Sequence, residues 1–267
     1  MLGRADRLGL MPWELLPLLP MGILAGLLSG LLGIGGGLIF SPLLLWLGLS
    51  PHEALATSTL AIVPTTLGGS WAHLRSGRVA LPAILAIVSG AVAGGLLFSQ
   101  SGGWLSGWHL LALQALMYGL LTLVISPRSS DGEQPEATAA PIRSVPLAAV
   151  GLVAGWSSGL LGVGGGLVMV PLMVRALGLR VYLAIRLSTL AVCSSALVAS
   201  VSFVQSGRAN LIDGLVLGCV AGLASQWSAR QLQRVSEQRL VLLLRLLTAL
   251  LALDAGRRAI SLAMASA

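Results

Sequence analysis

Long apolar runs separated by short polar breaks fill most of the chain. In the first half they cover about 14–48, 54–73, 79–98 and 108–125; in the second, about 146–178, 182–204, 210–228 and 240–260. A helix that spans a bilayer needs about 20 predominantly apolar residues. The last three runs of each half therefore each predict one crossing. The first run of each half is too long for one crossing and marginal for two, and each is interrupted by consecutive glycines. Such a run fits either a re-entrant hairpin or a full helix followed by a half helix.

The halves repeat one another. Gly30-Leu-Leu-Gly-Ile-Gly-Gly-Gly-Leu38 returns as Gly159-Leu-Leu-Gly-Val-Gly-Gly-Gly-Leu167, followed at equal distance by Pro42 and Pro171. Ser58-Thr59-Leu60-Ala61 matches Ser188-Thr189-Leu190-Ala191, and Ser76-Gly77-Arg78 matches Ser206-Gly207-Arg208. Between them lies a polar stretch holding Asp131, Glu133, Glu136 and Pro141, whose composition suits a linker without a core of its own. The expected organisation is a membrane repeat at 1–126, a linker at 127–145 and a second repeat at 146–267. The fold expected is an all-α polytopic membrane protein, each repeat combining a glycine-broken segment with three transmembrane helices.

Composition agrees with a bilayer as solvent. Apolar residues make up 56% of the 267 positions and charged residues 9%, and mean hydropathy is +0.92. A soluble domain carries about 25% charged residues. All sixteen basic residues are arginine and the net charge is +7, but they lie between apolar runs. They read as topology signals and anionic-lipid contacts, not as a nucleic-acid surface. Arg4 and Arg7 ahead of a leucine-rich stretch resemble a signal peptide. Glu14, Pro17 and Pro20 interrupt that stretch, so it reads as a retained first segment.

Arginine placement also bears on the orientation of the repeats. If each broken segment enters and leaves on one side, the repeats are inverted. Arg75, Arg78, Arg128, Arg143, Arg175, Arg180, Arg186, Arg230, Arg234 and Arg239 then share one face, against Arg4, Arg7, Arg208, Arg257 and Arg258. Parallel repeats split the same residues less unevenly. The positive-inside rule thus favours inversion, an arrangement that recurs in secondary transporters.

Glycine has two uses in such helices. Gly22/Gly26/Gly30, Gly151/Gly155/Gly159, Gly90/Gly94 and Gly214/Gly218/Gly222 recur every four residues, which suits close helix packing. Gly35-Gly36-Gly37 and Gly164-Gly165-Gly166 are consecutive and make no stripe. Each costs about 1 kcal/mol in a helix interior relative to alanine, so unwinding is expected, with new helices starting near Leu38 and Leu167. A helix start offers free N–H groups and a positive dipole end to an anion. Unwound backbone at membrane depth must be covered by protein or line a wet cavity. The bland alternative is a hinge or a tight crossing.

Ser58, Thr59, Ser188 and Thr189 either donate to the same anion or bond back to their own helices. Arg186 is a candidate counter-charge without a basic mate in the first copy, where Ala56 aligns; Arg245 is a weaker candidate. Asp213 and Asp254 fall near predicted span ends and Glu53 in a turn, so no carboxylate is placed clearly at mid-membrane. His52, His73 and His109 are scattered and form no metal set. Cys193 and Cys219 read as buried free thiols without metal or redox spacing. No phosphate loop or HExxH pair is present, so an enzyme or an ATP-driven pump has little support. No cofactor is expected.

The stretches GLLSGLLGIGGGLIFSPLLLWLGLSPHEALATSTLA and GLLGVGGGLVMVPLMVRALGLRVYLAIRLSTLA, each followed by SGR, resemble the two halves of the sulfite exporter TauE/SafE family. That resemblance implies a permease of the cell inner membrane for sulfur-containing anions such as sulfite, sulfoacetate or related organosulfonates. Leu183 stands where the first copy has Glu53, which weakens any symmetric role for that acid. The expected partners are a small anionic substrate and membrane lipid, with no nucleic acid; a homo-oligomer is compatible with the sequence. A transporter or importer of another small solute on the same scaffold, and a non-transporting scaffold subunit, are the competing classes.

Overall fold

The computed structural model describes residues 17–75, 80–99, 104–124 and 144–266. Arg4, Arg7, Ser76–Arg78 and the linker as far as Arg143 lie outside these. Among the described residues the protein is built of helices with no strand. The first half holds α1 (Leu18–Leu32), α2 (Gly37–Trp46), α3 (Pro51–Arg75), α4 (Leu81–Phe98) and α5 (Gly107–Val124). The second holds α6 (Ser144–Leu161), α7 (Gly166–Ala176), α8 (Val181–Gln205), α9 (Leu211–Gln231) and, after a short 3-10 turn, α10 (Glu237–Ser266). Four of these, α4, α6, α8 and α9, are long and apolar enough by length and composition to cross a membrane.

Two local devices fix helix starts that apolar patterning leaves vague. Ser50 precedes α3 and donates through its backbone N–H (3.0 Å) and its Oγ (2.9 Å) to the Glu53 carboxylate. This reciprocal cap satisfies backbone donors that a helix start leaves free, and it puts Glu53 in the first helical turn, not in the preceding turn as expected. Asn210 caps α9 in a similar way, its Oδ1 accepting from the Asp213 N–H at 3.3 Å. At the other end of the chain, α10 runs well past the expected span limit. Asp254 lies inside it, as inside the expected run, and Arg258 (2.9 Å) and Arg257 (3.4 Å) of the same helix pair with it. Those pairs lower the cost of carrying the charge inside the helix.

The four-residue glycine spacing brings helices of opposite halves together. Along α1 and α9, Gly22 meets Val220, Gly26 meets Ala221 and Gly30 meets Ser225 and Ala229, so the two run parallel. Along α6 and α4, Gly151 meets Ala91, Gly155 meets Gly95 and Gly159 meets Ser99, again in parallel. A β-carbon at Gly26 or Gly90 would overlap the carbonyl oxygen of Ala221 or Ala148. Backbones this close gain dispersion contact without a hydrophobic driving force.

Further pairings fix the remaining directions. Asn210 N–H donates to Thr57 Oγ1 at 2.9 Å while Gly222 lies against Pro64, so α9 also runs parallel to α3. Ser99 and Ser202 hydroxyls are 3.1 Å apart and Gly95 lies beside Ser195, so α4 runs parallel to α8. The central pair α3 and α8 is antiparallel: Ala56 packs with Ala199 and Phe203 at one end, and Gly69 faces Thr189 toward the other. The closing pair α5 and α10 is antiparallel too: Thr122 and Thr248 hydroxyls bond at 2.8 Å while Ala115 lies against Gly256.

The outer surface is apolar. Leu85, Leu97, Leu123, Leu223, Leu253 and Trp227 are each at least 60% exposed, as expected where lipid is the solvent. Cys219 is on this outer surface and Cys193 is half-buried, which corrects the expectation of two buried thiols. The spacing of Cys219 beside Gly218 explains it: the glycine faces Ala61 and turns its neighbour outward.

Candidate functional site

Each half carries a four-residue interruption between two helices. Gly33, Gly35 and Gly36 have φ of +67°, +77° and +80°; Gly162, Gly164 and Gly165 have +64°, +87° and +64°. An L side chain at any of these would sit in the left-handed region. The helices restart at Gly37 and Gly166, one residue earlier than expected. Those two glycines are needed for space, since a β-carbon at Gly37 would come 2.8 Å from the Val163 carbonyl oxygen. One at Gly166 would come 2.7 Å from the Ile34 Cα.

The interruptions therefore touch each other. Both rest on the middle of the central pair: β-carbons at Gly35 and at Gly164 would each meet Ile62 of α3 and Val192 of α8. Each of these residues is the twelfth of its 25-residue helix. All six glycines of the two triplets are buried. Neither α2 nor α7 has a side-chain cap at its start, so both keep their positive ends pointed into this junction.

Hydroxyls from the central pair lock the interruptions across the halves. Ser58 Oγ donates to the Gly162 carbonyl at 2.7 Å, and Ser188 Oγ donates to the Gly33 carbonyl at 2.7 Å. Gly33 and Gly162 were legible as part of the repeated motif, yet only this exchange shows that they accept hydrogen bonds. Thr59 and Thr189 instead donate to Leu55 and Ile185 of their own helices, at 2.8 and 2.9 Å, the back-bonding expected of threonine in an apolar helix. The four hydroxyls thus sit around the junction, two turned toward the interruptions and two toward their own backbones.

Sequence reasoning overlooked Thr65 and Thr66. Their methyl groups lie within contact distance of the positions where Gly36 and Gly35 would carry a side chain. Both are fully buried, with hydroxyls bonded to Ala61 and Ile62 at 2.7 Å. Their placement one helical turn after Ile62 was the available signal.

The match to known proteins follows this anatomy. Residues 18–255 match the family model described as sulfite exporter TauE/SafE. The chain belongs to the sulfite exporter TauE/SafE family. It is 30% identical over 195 residues to a probable membrane transporter protein of Xylella fastidiosa strain 9a5c, covering 72% of this chain and 74% of that one. It is 24% identical over 257 residues to the probable membrane transporter protein YunE of Bacillus subtilis strain 168, covering 88% and 94%. Over 41 residues it is 54% identical to the sulfite exporter TauE/SafE family protein 3 of Arabidopsis thaliana, covering 15% and 9%. This TauE/SafE protein is a membrane transporter.

In this family member the candidate arginines differ sharply. Arg186 is 8% exposed and belongs to the buried side of α8. Arg245 is exposed on α10, free to snorkel. Arg186 follows Ile185, whose backbone carbonyl lies 2.7 Å from where a Gly33 side chain would begin. It is thus adjacent to the first interruption. Among the described residues no group of three or more His, Cys, Asp or Glu side chains could hold a metal ion.

Proposed function

We propose that the protein exports small sulfur-containing anions, such as sulfite, sulfoacetate or related organosulfonates, across the cell inner membrane. The site is the junction of the two glycine interruptions. The observation that carries this reading is that two uncapped helix starts, Gly37 and Gly166, converge where Gly35 and Gly164 rest on Ile62 and Val192. Two positive helix ends in a water-poor setting favour an oxyanion, and bare glycine lets it reach the backbone. Discontinuous helices at mid-membrane are the usual way secondary transporters build a substrate site.

The architecture proposed is a pair of inverted repeats. The antiparallel α3 and α8 support it, because equivalent helices of inverted copies must run in opposite directions. The shared direction of α1, α9 and α3 supports a re-entrant first segment, with α1 rising and α2 returning before α3 begins. At 15 and 10 residues these helices are about 22 and 15 Å long, too short for two full crossings. Six helices then cross, and the arginine-rich face is cytoplasmic.

An inside-negative potential drives anions outward by about 2.3 kcal/mol per charge per 100 mV, so no coupled ion is needed. The pairing of Asp254 with two arginines supports this, since it leaves that carboxylate occupied. The test is a binding screen of the purified protein against sulfite, sulfonates, thiosulfate and carboxylates. Saturable binding of sulfite or a sulfonate, with carboxylates weaker, supports the reading. Binding of carboxylates alone would transfer the scaffold to another cargo.

A further inference from the structure

A cavity of about 60 Å³ lies where α7, the start of α8 and the start of α10 meet the end of α1. Its walls include Leu32, Val170, Val181, Leu240 and Leu244, all buried and apolar. Arg175 is the one charged residue in the lining. Val174 and Val241 also line it and are half-buried, so the cavity opens between α7 and α10.

Arginines stand around the opening. Arg175 lines it directly, Arg180 immediately precedes Val181, and Arg239 immediately precedes Leu240. All three are exposed. Tyr182 Oη donates to the Val235 carbonyl at 2.9 Å, which ties the start of α8 to the turn before α10 and holds the two arginine-bearing starts together. Positions 174–181 and 230–241 together carry five arginines against one acid, Glu237.

The first half differs at the matching place. Counting from Pro42/Pro171 and from Ser58/Ser188, Trp46, Ser50 and His109 stand where Arg175, Arg180 and Arg239 do. There the start of α5 packs closely on the start of α3: a β-carbon at Gly107 would come 3.0 Å from the Pro51 ring, and His52 Nε2 lies 2.9 Å from the Leu105 carbonyl oxygen. No glycine stands at the matching position, 237, in the second half. The arginine rim thus belongs to one repeat, on the face that the topology proposed above makes cytoplasmic.

Apolar walls below a cationic rim select the occupant. The walls offer nothing to a bare oxyanion, whose desolvation they would leave uncompensated. A hydrocarbon chain suits them, and the outer surface beside the opening is itself lipid-facing, with Leu242 and Leu246 of α10 53% and 55% exposed. Guanidinium forks at the rim match phosphate oxygens. Basic pockets between helices on the cytoplasmic side take acidic lipid headgroups.

We infer that this cavity binds an anionic glycerophospholipid of the cytoplasmic leaflet. Its phosphate lies on Arg175, Arg180 and Arg239, and the upper part of one acyl chain fills the space between α7 and α10. The lipid braces α7, the helix that starts at the Gly166 interruption, against α8 and α10. This site is separate from the glycine junction and does not depend on which cargo that junction carries.

The test is native mass spectrometry of the full-length protein with phosphatidylglycerol or phosphatidylcholine of matched chains, with thermal unfolding in parallel. Wild type should bind phosphatidylglycerol saturably and at least about tenfold more tightly than phosphatidylcholine, since each arginine near the surface contributes about fivefold. R175Q should weaken phosphatidylglycerol by about fivefold, and R175Q/R180Q/R239Q should bring the two lipids level. V241W, which fills the opening and leaves the charges in place, should weaken phosphatidylglycerol as well. Soluble glycerol phosphate should not raise the unfolding temperature where phosphatidylglycerol does. Equal wild-type affinity for the two lipids, or equal protection by glycerol phosphate, would overturn the site. So would a triple variant that keeps the preference, or phosphatidylglycerol affinity unmoved by V241W. The wild-type comparisons decide the matter even where a variant fails to fold, and none of these outcomes bears on sulfite export.

Discussion

Ser58 Oγ donates a 2.7 Å hydrogen bond to the carbonyl oxygen of Gly162, a residue 104 positions away in the other half of the chain. Its counterpart, Ser188, returns the bond to Gly33. Each half thus holds the other's interruption in place. Opening a helix leaves carbonyls without partners, and inside a bilayer no water is at hand to satisfy them.

Ser58→Ala and Ser188→Ala should each leave a buried carbonyl short of a partner and cost about 1–3 kcal/mol. Thermal unfolding of the purified protein in detergent measures this directly. Thr59→Ala and Thr189→Ala should cost less, because their acceptors Leu55 and Ile185 are already within helical backbone bonding. Equal losses for serine and threonine variants would remove the cross-half lock from the account.

Gly36→Leu and Gly165→Leu should both abolish transport while leaving membrane insertion intact. Each forces a branched side chain into φ of +80° or +64°, at a cost of about 1–2 kcal/mol from the backbone alone. Gly36→Leu also drives a β-carbon to 2.8 Å from the Phe40 ring, and Gly165→Leu to 2.8 Å from the Ala154 Cβ. Flux assays on protein recovered as a monodisperse peak separate lost function from lost folding. Wild-type flux in either variant would return these glycines to a packing role.

Inversion predicts where the ends of the central pair emerge. Cysteines introduced as Arg75→Cys at the end of α3 and Gln205→Cys at the end of α8, with Cys193 and Cys219 replaced, should label from opposite faces of the membrane. Labelling of both from the same face would contradict inverted repeats.

Asp254→Asn should retain transport and its dependence on membrane potential, with at most a modest loss of stability. The carboxylate is paired with Arg258 at 2.9 Å and with the exposed Arg257 at 3.4 Å, and such exposed or partly exposed pairs contribute about 0–1 kcal/mol. Loss of flux together with loss of any response to an imposed pH gradient would make Asp254 a proton carrier instead.

Much of the fold was legible in the chain because lipid imposes a simple rule: apolar runs of sufficient length become helices. The helix limits at Pro51, Leu81 and Leu211 lie within a few residues of the runs that predicted them. The helix restarts at Gly37 and Gly166 were visible because three consecutive glycines are costly in a helix interior and so favour unwinding there. Contacts across the halves were not legible. Nothing local marks Gly162 as the acceptor for Ser58, since that bond depends on the second interruption packing against α3. Glu53 was misplaced because its Ser-x-x-Glu spacing is a capping signal that overlapped a turn-like Ser-Pro pair.

The central claim is that the paired interruptions pass a sulfur oxyanion down its electrical gradient. Proteoliposomes containing the wild-type protein, loaded with sulfite and clamped at an imposed inside-negative potential, test it directly. The account predicts efflux that accelerates with potential and sustains about a fiftyfold gradient per unit charge at 100 mV, without an imposed pH gradient. Sulfite efflux that ignores potential and follows only a pH gradient would contradict it.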